Sequence, residues 1–488
     1  MRILVIRTSA LGDTILATPV LRALRRRYPD AEIHFVTQPA WAPLFDGVPF
    51  VTRVWRWTMG GGRRTLRGIP SFAASLRRSG TFDLVVDLQN SPMVRLLLAG
   101  VRPRRTIRFV KRRTVSAVVS SIFGEGPVLD ELPNAALYLE ALGSLGFPTH
   151  AAARRGIVPL PALSRPRTDR TAPDTAVFAA AAGGEGSVGA AVAGARMGTM
   201  EAVAPGAPGM VGAGVIGANV GPAEIIAPGT SPEDSAAAVD SASATAGLEV
   251  PVDDLPPLPD PVTGWDLRPA IHLSPEALGQ ADTLLADARG APVVALAPGG
   301  RWATKRWPPE RFAQVGNALS AAGARIVLVG GPADRAELKA VAAALVDPPL
   351  GDTAALDVAG LAAVIAKAGV LVSCDSAPNH LAQAVGTPSI TVFGPTSARR
   401  WGPLPGAGAS ISLPIGCAPC SNFGKRPCHL GHHACMQDLG PEAVIAAALA
   451  ALREGRMSGG PAAGIVWSRE RVGLAMQVAR SRREVRRR

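Results

Sequence analysis

The segment Leu371–Thr396, LVSCDSAPNHLAQAVGTPSITVFGPT, decides the fold class of this 488-residue chain. Its apolar runs Val370–Ser373 and Ile390–Phe393 predict two buried strands. The residues between the two runs predict a helix that ends at Gly386. A strand, a helix and a second strand in this order are typical of a parallel α/β sheet.

Polar residues gather where that helix begins. Asp375, Ser376 and Asn379 follow the first strand, and His380 comes next to them in the helix. A helix that begins just past the carboxyl end of a strand directs unpaired N–H groups and the positive end of its dipole into a crevice. Ligands of open α/β sheets bind in such crevices. The segment therefore predicts a site for a phosphate-bearing ligand, with Asp375 and His380 as specific polar contacts.

Two stretches of the chain alternate strand and helix patterns in the same way. In residues 1–160 the predicted strands are Ile3–Ile6, Glu32–Val36 and Phe82–Leu88, and the predicted helix is Thr14–Arg27. In residues 266–452 the predicted strands are Val293–Ala297, Arg325–Val329 and Val370–Ser373, and the predicted helices are Pro309–Ala321, Leu361–Ala368 and Pro441–Arg453. We expect an α/β protein with two Rossmann-like, doubly wound domains that face a cleft.

Residues 165–265 separate these stretches. They are rich in Ala, Gly, Pro and Ser, lack periodicity, and contain 12 acidic against 4 basic residues. Such a composition buries too little apolar surface to offset the entropy of ordering. It predicts a disordered insertion or linker, with a small independent domain as the alternative.

The charge distribution indicates an anionic partner. The net charge is +13; residues 1–164 contain 23 basic and 10 acidic residues, and the tail 456–488 contains 9 and 2. Nucleic acid, an acidic membrane surface and a phosphorylated substrate all fit this charge, and so does a solvated surface in an Arg-rich protein. We find no secretory signal pattern and no apolar stretch fit to span a bilayer, and expect a cytoplasmic protein.

Three further positions are candidates for chemistry. Lys305, in PGGRWATKRWP after a strand, could pair with a diphosphate. Gly330–Gly331 ends another strand and could let a purine or ribose approach, or could be an ordinary turn. Asp13 follows Gly12 at the first strand–helix turn, where it could act as a general base or stabilise the first turn of a helix. The residues alone favour the structural interpretation of Asp13.

Four of the five cysteines form the pattern C-x2-C-x7-C-x6-C with histidines interleaved. A structural metal site, disulfides and reduced thiols are all compatible with it, and the metal is not the favoured reading because the later spacings match no common zinc template. Cys374 stands apart, and we expect it at the edge of the core. The clustered residues are Cys417, Cys420, Cys428 and Cys435, with His429, His432 and His433.

Several blocks together resemble glycosyltransferase family 9, the bacterial lipopolysaccharide heptosyltransferases. The blocks are RILVIRTSALGDTILATPVLRALRRRYPDAEIHFVT, FDLVVDLQNS, APGGRWATKRWPPERFA, IVLVGGPAD, the opening segment, and the ending CAPC…C…HHACMQDL. They cover about residues 1–160 and 270–452. Residues 165–265 have no counterpart in the usual family pattern.

The resemblance implies a GT-B fold and a metal-independent, inverting transfer of a heptose from ADP-heptose to the lipopolysaccharide inner core. Residues 1–164 would bind the acceptor and residues 266–455 the nucleotide sugar, followed by the basic tail 456–488. Carried over by position, Asp13 becomes the general base and Lys305 the catalytic diphosphate ligand. The implied donor contacts are Lys305, Asp375, Ser376, Ala377 and His380, with Arg301, Thr304 and Gly331 as weaker carry-overs.

The implied partners are a nucleotide-sugar donor and an anionic, lipid-linked glycan acceptor at the cytoplasmic face of the inner membrane, with no nucleic acid. Two alternatives stay open: a transferase of the same fold with another nucleotide sugar or surface-glycan acceptor, and a catalytically silent nucleotide- or glycan-binding protein. A dinucleotide oxidoreductase is disfavoured because no G-x-G-x-x-G follows the first strand.

Overall fold

The computed structural model describes residues 1–58, 63–109, 132–150, 224–226 and 264–453. Most of the predicted insertion 165–265 and the whole tail 456–488 lie outside the described residues. Both sheets that follow belong to one compact unit of the chain.

The first sheet is parallel throughout. Its strands are β1 Arg2–Ile6, β2 Glu32–Thr37, β3 Arg53–Arg56, β4 Leu84–Asp87 and β5 Arg105–Arg108. They lie in the order β3-β2-β1-β4-β5, with β1 central. Ile3, Leu4, Val5 and Ile6 of β1 are all fully buried, as expected when helices cover both faces of a parallel sheet.

Five helices accompany this sheet: α1 Leu11–Ile15, α2 Thr18–Arg27, α3 Arg63–Arg78, α4 Pro92–Val101 and α5 Asn134–Leu139. The prediction of one helix over Thr14–Arg27 is wrong, because the chain forms α1 and α2 instead. Pro19 has no N–H to donate to the carbonyl of Ile15. The hydroxyl of Thr18 donates to that carbonyl instead, at 2.7 Å. The break sets the direction of α1, which carries Asp13.

The second sheet has six strands: β6 Glu224–Ile226, β7 Val293–Ala297, β8 Arg325–Leu328, β9 Val370–Cys374, β10 Ser389–Val392 and β11 Gly408–Ser412. They lie in the order β6-β11-β10-β9-β7-β8, and only β6, which pairs with β11, runs antiparallel. The strand β6 falls inside the range predicted as an insertion, where the sequence showed no strand pattern.

Eight helices surround this sheet: α6 Pro275–Leu285, α7 Pro309–Ala321, α8 Arg335–Ala344, α9 Val358–Lys367, α10 Ala377–Val385, α11 Ala398–Trp401, α12 Ala434–Gln437 and α13 Glu442–Arg453. The predicted helix Leu361–Ala368 begins three residues earlier. Asp357 caps α9, and its carboxylate accepts the N–H of Gly360 at 2.8 Å.

Residues 264–273, which we call the strap, pack against the first domain although they follow the predicted insertion. The N–H of Ala270 donates to Thr18 Oγ1 at 2.8 Å, and the N–H of His272 donates to the carbonyl of Leu44 at 2.7 Å. Asp266 forms a buried ion pair with Arg22 at 2.9 Å. The chain enters the second domain only at α6.

The predicted fold class is confirmed, since one parallel and one mostly parallel sheet, each with flanking helices, make up the described chain. No helix within the described ranges is both long and apolar enough to cross a bilayer.

Candidate active site

One cavity of about 770 Å³ lies between the carboxyl ends of the two sheets. Its walls include the turn after β1 and the first turn of α10, so residues from both domains face it. Of the residues singled out in the sequence as candidates, those that line it are Asp13, Arg301, Lys305, Gly330, Asp375, Ser376, Ala377 and His380. The structure therefore brings candidates that are more than 350 positions apart into one site.

Asp13 is the third residue of α1. Its Oδ2 accepts the N–H of Ala10 at 3.2 Å, which is the bond that an acidic residue in a first helical turn commonly makes. The side chain is also 15% exposed and reaches the cavity. The structural and the functional interpretation of Asp13 are thus both compatible with its position.

Three side chains surround the Asp13 carboxylate. Arg7 Nη2 lies 2.9 Å from Oδ2, while the hydroxyl of Tyr138 and the amide of Asn134 donate to Oδ1 at 2.5 Å and 3.1 Å. Burial by itself would raise the pKa of Asp13, but the charge of Arg7 and these hydrogen bonds outweigh it and hold the pKa below its usual value. The carboxylate is therefore ionised at neutral pH.

Arg7 is fixed as firmly as the carboxylate that it faces. It follows β1, its side chain is 7% exposed, and Nη1 donates to the carbonyl of Leu88 at 2.6 Å. Its guanidinium lies over the ring of Tyr138, 5.0 Å from the centroid. The ion pair with Asp13 is thus part of a rigid, buried group at the floor of the cavity.

In the other wall, Lys305 and Asp375 contact each other. Lys305 Nζ lies 2.7 Å from Asp375 Oδ2 and 3.2 Å from the carbonyl oxygen of the same residue. The two side chains are 15% and 4% exposed. Thr396 Oγ1 also donates to Oδ2 of Asp375, at 2.6 Å. A phosphate that binds Lys305 must therefore compete with, or share, the bond to Asp375.

The N-terminus of α10 opens on the same wall. Ser376 occupies the N-cap position, yet its hydroxyl makes no capping bond and donates instead to the carbonyl of Cys374 at 3.3 Å. The N–H groups of the first turn are thus not satisfied by the cap side chain, which suits an anionic ligand. The expectation that Asn379 belongs to the polar cluster at this site is wrong: it is fully buried, and its amide donates to the carbonyl of Trp401 at 2.9 Å.

His380 joins the two halves of the site. Its imidazole is 4% exposed and packs against Gly12, the neighbour of Asp13. Burial lowers the pKa of His380 to about 4, although Asp375 and Asp13 both oppose this shift. The ring is therefore neutral at pH 7, and its Nδ1 has no hydrogen-bond partner among the described residues.

Thr304 and Gly331 are not among the lining residues, unlike the other predicted donor contacts. Thr304 donates its hydroxyl to the carbonyl of Gly424, and its own carbonyl lies 2.6 Å from His433 Nε2. Gly331 donates its N–H to Asp334 at 2.9 Å. Both residues shape loops beside the cavity.

Sequence reasoning missed a second group of lining residues. Tyr138 and Asn134 lie on α5, for which no strand–helix pattern was recognised. Trp401 carried no signal, and its indole N–H donates to the carbonyl of Asn422 at 3.1 Å. The others lie in loops or short turns whose approach to the cavity depends on tertiary packing. The missed lining residues include Arg7, Trp41, Phe109, Asn134, Tyr138, Arg400, Trp401, Asn422, Phe423 and Lys425.

The cysteines are free thiols. Burial and the neighbouring Cys420 raise the pKa of Cys435 to about 12, whereas backbone N–H groups, that of His433 above all, lower the pKa of Cys428. Within the described chain no group of three or more Cys, His, Asp or Glu side chains is arranged to hold a metal ion. Cys374 lies in the core rather than at its edge: it is fully buried, and its sulfur accepts the N–H of Trp307 at 3.3 Å.

Residues 259–430 match the family described as glycosyltransferase family 9 (heptosyltransferase). This part of the chain is similar to glycosyltransferase family 9 domains. This match confirms the resemblance seen in the sequence blocks, and it includes the segment Leu371–Thr396 and the loop of Lys305.

Curated relatives point to the same family. Lipopolysaccharide heptosyltransferase 1 of Pseudomonas aeruginosa is 30% identical over 165 residues, which are 34% of this chain and 42% of that protein. Lipooligosaccharide heptosyltransferase 2 of Campylobacter jejuni is 27% identical over 161 residues, which are 32% and 50% of the two chains. The chain thus aligns with about half the length of these family 9 relatives or less.

Solved structures show the same fold. The glycosyltransferase family 9 protein of Veillonella parvula superposes with a TM-score of 0.58 at 17% identity, over 93% of this chain and 97% of that one. The structure titled E. coli ADP-heptose lps heptosyltransferase II gives a TM-score of 0.56 at 17% identity, over 93% and 99%. These likenesses confirm the predicted GT-B fold.

Proposed function

We propose that this chain is an inverting, metal-independent heptosyltransferase that transfers heptose from ADP-heptose to the inner core of lipopolysaccharide. The observation that carries the proposal is the placement of an ionised Asp13 and of Lys305 with the N-terminus of α10 in the walls of one cavity. The family match and the heptosyltransferase relatives support the choice of substrates.

The chemistry requires a base and a stabilised leaving group. Asp13 takes the proton of the acceptor hydroxyl, whose oxygen attacks the anomeric carbon on the face opposite the diphosphate. The bond from that carbon to the diphosphate oxygen breaks, and its electron pair leaves with ADP. Lys305 and the free N–H groups of α10 stabilise the charge that grows on the diphosphate.

The charge of the cavity suits two anionic ligands. Beyond the ion pairs Arg7–Asp13 and Lys305–Asp375, the lining contains Arg301, Arg400 and Lys425 against Asp334. We infer that these cations serve a phosphorylated acceptor as well as the donor.

We infer that the protein acts at the cytoplasmic face of the inner membrane. Residues 1–164 and the tail 456–488 are strongly basic, and anionic lipids attract such segments. Flotation with anionic vesicles should recover the full chain better than a chain ended at Arg453, where α13 ends. Equal recovery of the two chains would remove the tail from this proposal.

The decisive experiment compares Asp13→Asn with the wild type in a transfer assay that uses ADP-heptose and a heptose-deficient acceptor. We expect turnover to fall by 10²-fold or more, a loss typical of a missing general base, with donor affinity retained. Asp30→Asn, a change of the same chemistry at an exposed position, is the matched control. Substantial turnover by Asp13→Asn would contradict the base assignment. A calorimetric screen of ADP, UDP, GDP and dTDP tests the donor, and preference for a base other than adenine would point to another nucleotide sugar.

A further inference from the structure

Both oxygens of Asp13 accept hydrogen bonds from donors of the protein. Oδ1 accepts Tyr138 at 2.5 Å and Asn134 at 3.1 Å, and Oδ2 accepts Arg7 at 2.9 Å and the N–H of Ala10 at 3.2 Å. A carboxylate offers about four acceptor sites in all. An acceptor hydroxyl must donate its hydrogen to Asp13 before it can be deprotonated, so it has to take the place of one of these donors.

Tyr138 is the donor best suited to give way. Ala10 is held in the same turn as Asp13, Arg7 is held by charge, and the Asn134 nitrogen can only donate. A phenol hydroxyl, in contrast, both donates and accepts, and its hydrogen turns about the C–O bond.

The ring of Tyr138 is held by its neighbours. The ring of Tyr138 is 1% exposed, packs edge-on against Phe109 at 5.0 Å, and lies under the guanidinium of Arg7. The hydroxyl can therefore redirect its hydrogen without any movement of the ring.

We propose that Tyr138 is a positioning residue for Asp13: its hydroxyl donates to Oδ1 until the acceptor binds, and then turns its hydrogen away so that the acceptor hydroxyl can donate to Oδ1. This inference rests on the proposed glycosyl transfer and deepens it. Once the acceptor is seated, Asp13 loses the phenol hydrogen bond and becomes more basic at the moment when the proton is removed. The phenol then accepts or donates at the acceptor oxygen.

Other charged groups around Asp13 also act on the pKa of its carboxyl group. Arg7, at the end of β1, is the dominant cation, and Asp87 of β4 in turn faces Arg7. His380 of α10 approaches from the second domain and is neutral above about pH 5. Because these groups remain when the phenol hydroxyl is removed, the loss of its hydrogen bond to the charged carboxylate should raise the pKa of Asp13.

The test compares the pH dependence of kcat/KM and of kcat for the wild type and Tyr138→Phe. The acid limb of kcat/KM reports the free enzyme and should move to higher pH, while the acid limb of kcat reports the bound complex and should stay in place. Tyr28→Phe is the matched control, because Tyr28 and Tyr138 are the two tyrosines of the chain. If both limbs stay in place, or both move equally, the proposal is wrong.

A second variant tests the proposal even if Tyr138→Phe does not fold correctly. In the Tyr28→Phe background, biosynthetic replacement of tyrosine by 3-fluorotyrosine changes position 138 alone and makes the phenol a stronger donor. The acid limb of kcat/KM should then move in the opposite direction, to lower pH. A shift to higher pH, or none, would overturn the inference.

A measurement that does not depend on turnover tests the role of Tyr138 separately from the proposed function. The ¹³C carboxyl resonance of Asp13, identified by its loss in Asp13→Asn, should titrate at higher pH in Tyr138→Phe than in the wild type. An unchanged titration contradicts the role of Tyr138 even where transfer occurs. Absence of transfer in the wild type contradicts the proposed function instead, whatever the titration shows.

Discussion

The imidazole of His380 fills the space that a side chain at position 12 would need. A Cβ built on Gly12 would lie 2.5 Å from His380 Cδ2. Direct contact therefore joins the first turn of α1, which carries Asp13, to the first turn of α10. This contact, and not the chain alone, holds Asp13 close to the N-terminus of α10.

Gly12→Ala should destabilise the protein. His380 is buried and has to move to admit the methyl group, which costs roughly 1–3 kcal/mol in a packed core, and the movement reaches Asp13. Urea denaturation and the transfer assay measure the two effects.

Gly279→Ala is the matched control, because Gly279 lies inside α6 with no atom within 4 Å of a built Cβ. That change should leave activity intact and raise stability by up to about 1 kcal/mol, the helix propensity of Ala over Gly. Equal effects of the two changes would contradict the tight contact with His380.

Because Lys305 and Asp375 form an ion pair, substitutions of the two residues should change the affinity for ADP in opposite directions. Lys305→Ala removes the cation and should weaken ADP binding by tenfold or more, since hydrogen bonds to charged groups contribute about 1.5–3 kcal/mol. Asp375→Asn leaves Lys305 without its carboxylate partner and should strengthen ADP binding several-fold. Isothermal calorimetry distinguishes these outcomes, and weaker binding in both variants would mean that the pair acts as one structural unit.

His380 should make the protein less stable in acid. Because burial lowers its pKa from 6.5 to about 4, the unfolded chain takes up a proton in this range while the folded chain does not. Stability is therefore complete above about pH 6.5 and falls as the pH drops to 4, by about 3 kcal/mol for a shift of this size.

His380→Gln should lose less stability than the wild type between pH 7 and about pH 4. Urea titrations at several pH values measure the difference, and its absence would show that the imidazole is readily protonated in the folded protein. His272→Gln, which changes a histidine of the strap, serves as the control for loss of a histidine elsewhere.

The cysteines should differ in their reactivity toward iodoacetamide. Backbone N–H groups lower the pKa of the Cys428 thiol, whereas burial raises the pKa of Cys374 and of Cys435 to about 12. Since the thiolate is the nucleophile, Cys428 should be modified first in the reduced native protein. Peptide mass spectrometry over a time course measures the order, and early modification of Cys374 would contradict its burial.

Periodicity was sufficient to predict most of the fold. Strands such as β1 and β7 are continuous apolar runs in the sequence, because helices cover both faces of each sheet. The boundaries of helices were harder to predict: the break between α1 and α2 depends on Pro19, and the start of α9 depends on the cap at Asp357. Capping and proline effects act over single residues, below the resolution of a hydrophobic pattern.

The site was predictable where it follows a strand and unpredictable where packing creates it. Asp13, Lys305 and Asp375 each lie near a strand end, and all three reach the cavity. Tyr138 contacts Asp13 across 125 positions of sequence, and nothing in its local sequence indicates that contact. The pairing of Lys305 with Asp375 was likewise not foreseen, because each was assigned its own part of the donor.

The strap has a consequence for how such a protein can be recombined. A chimera joined at residue 265 would take Asp266 from one parent and its buried partner Arg22 from another, together with the backbone bond of Ala270 to Thr18. A junction between Leu273 and Ser274 keeps these pairs from a single parent. The unit to exchange therefore ends some eight residues later than the change in composition would suggest. A first domain that is grafted between related proteins should include the strap.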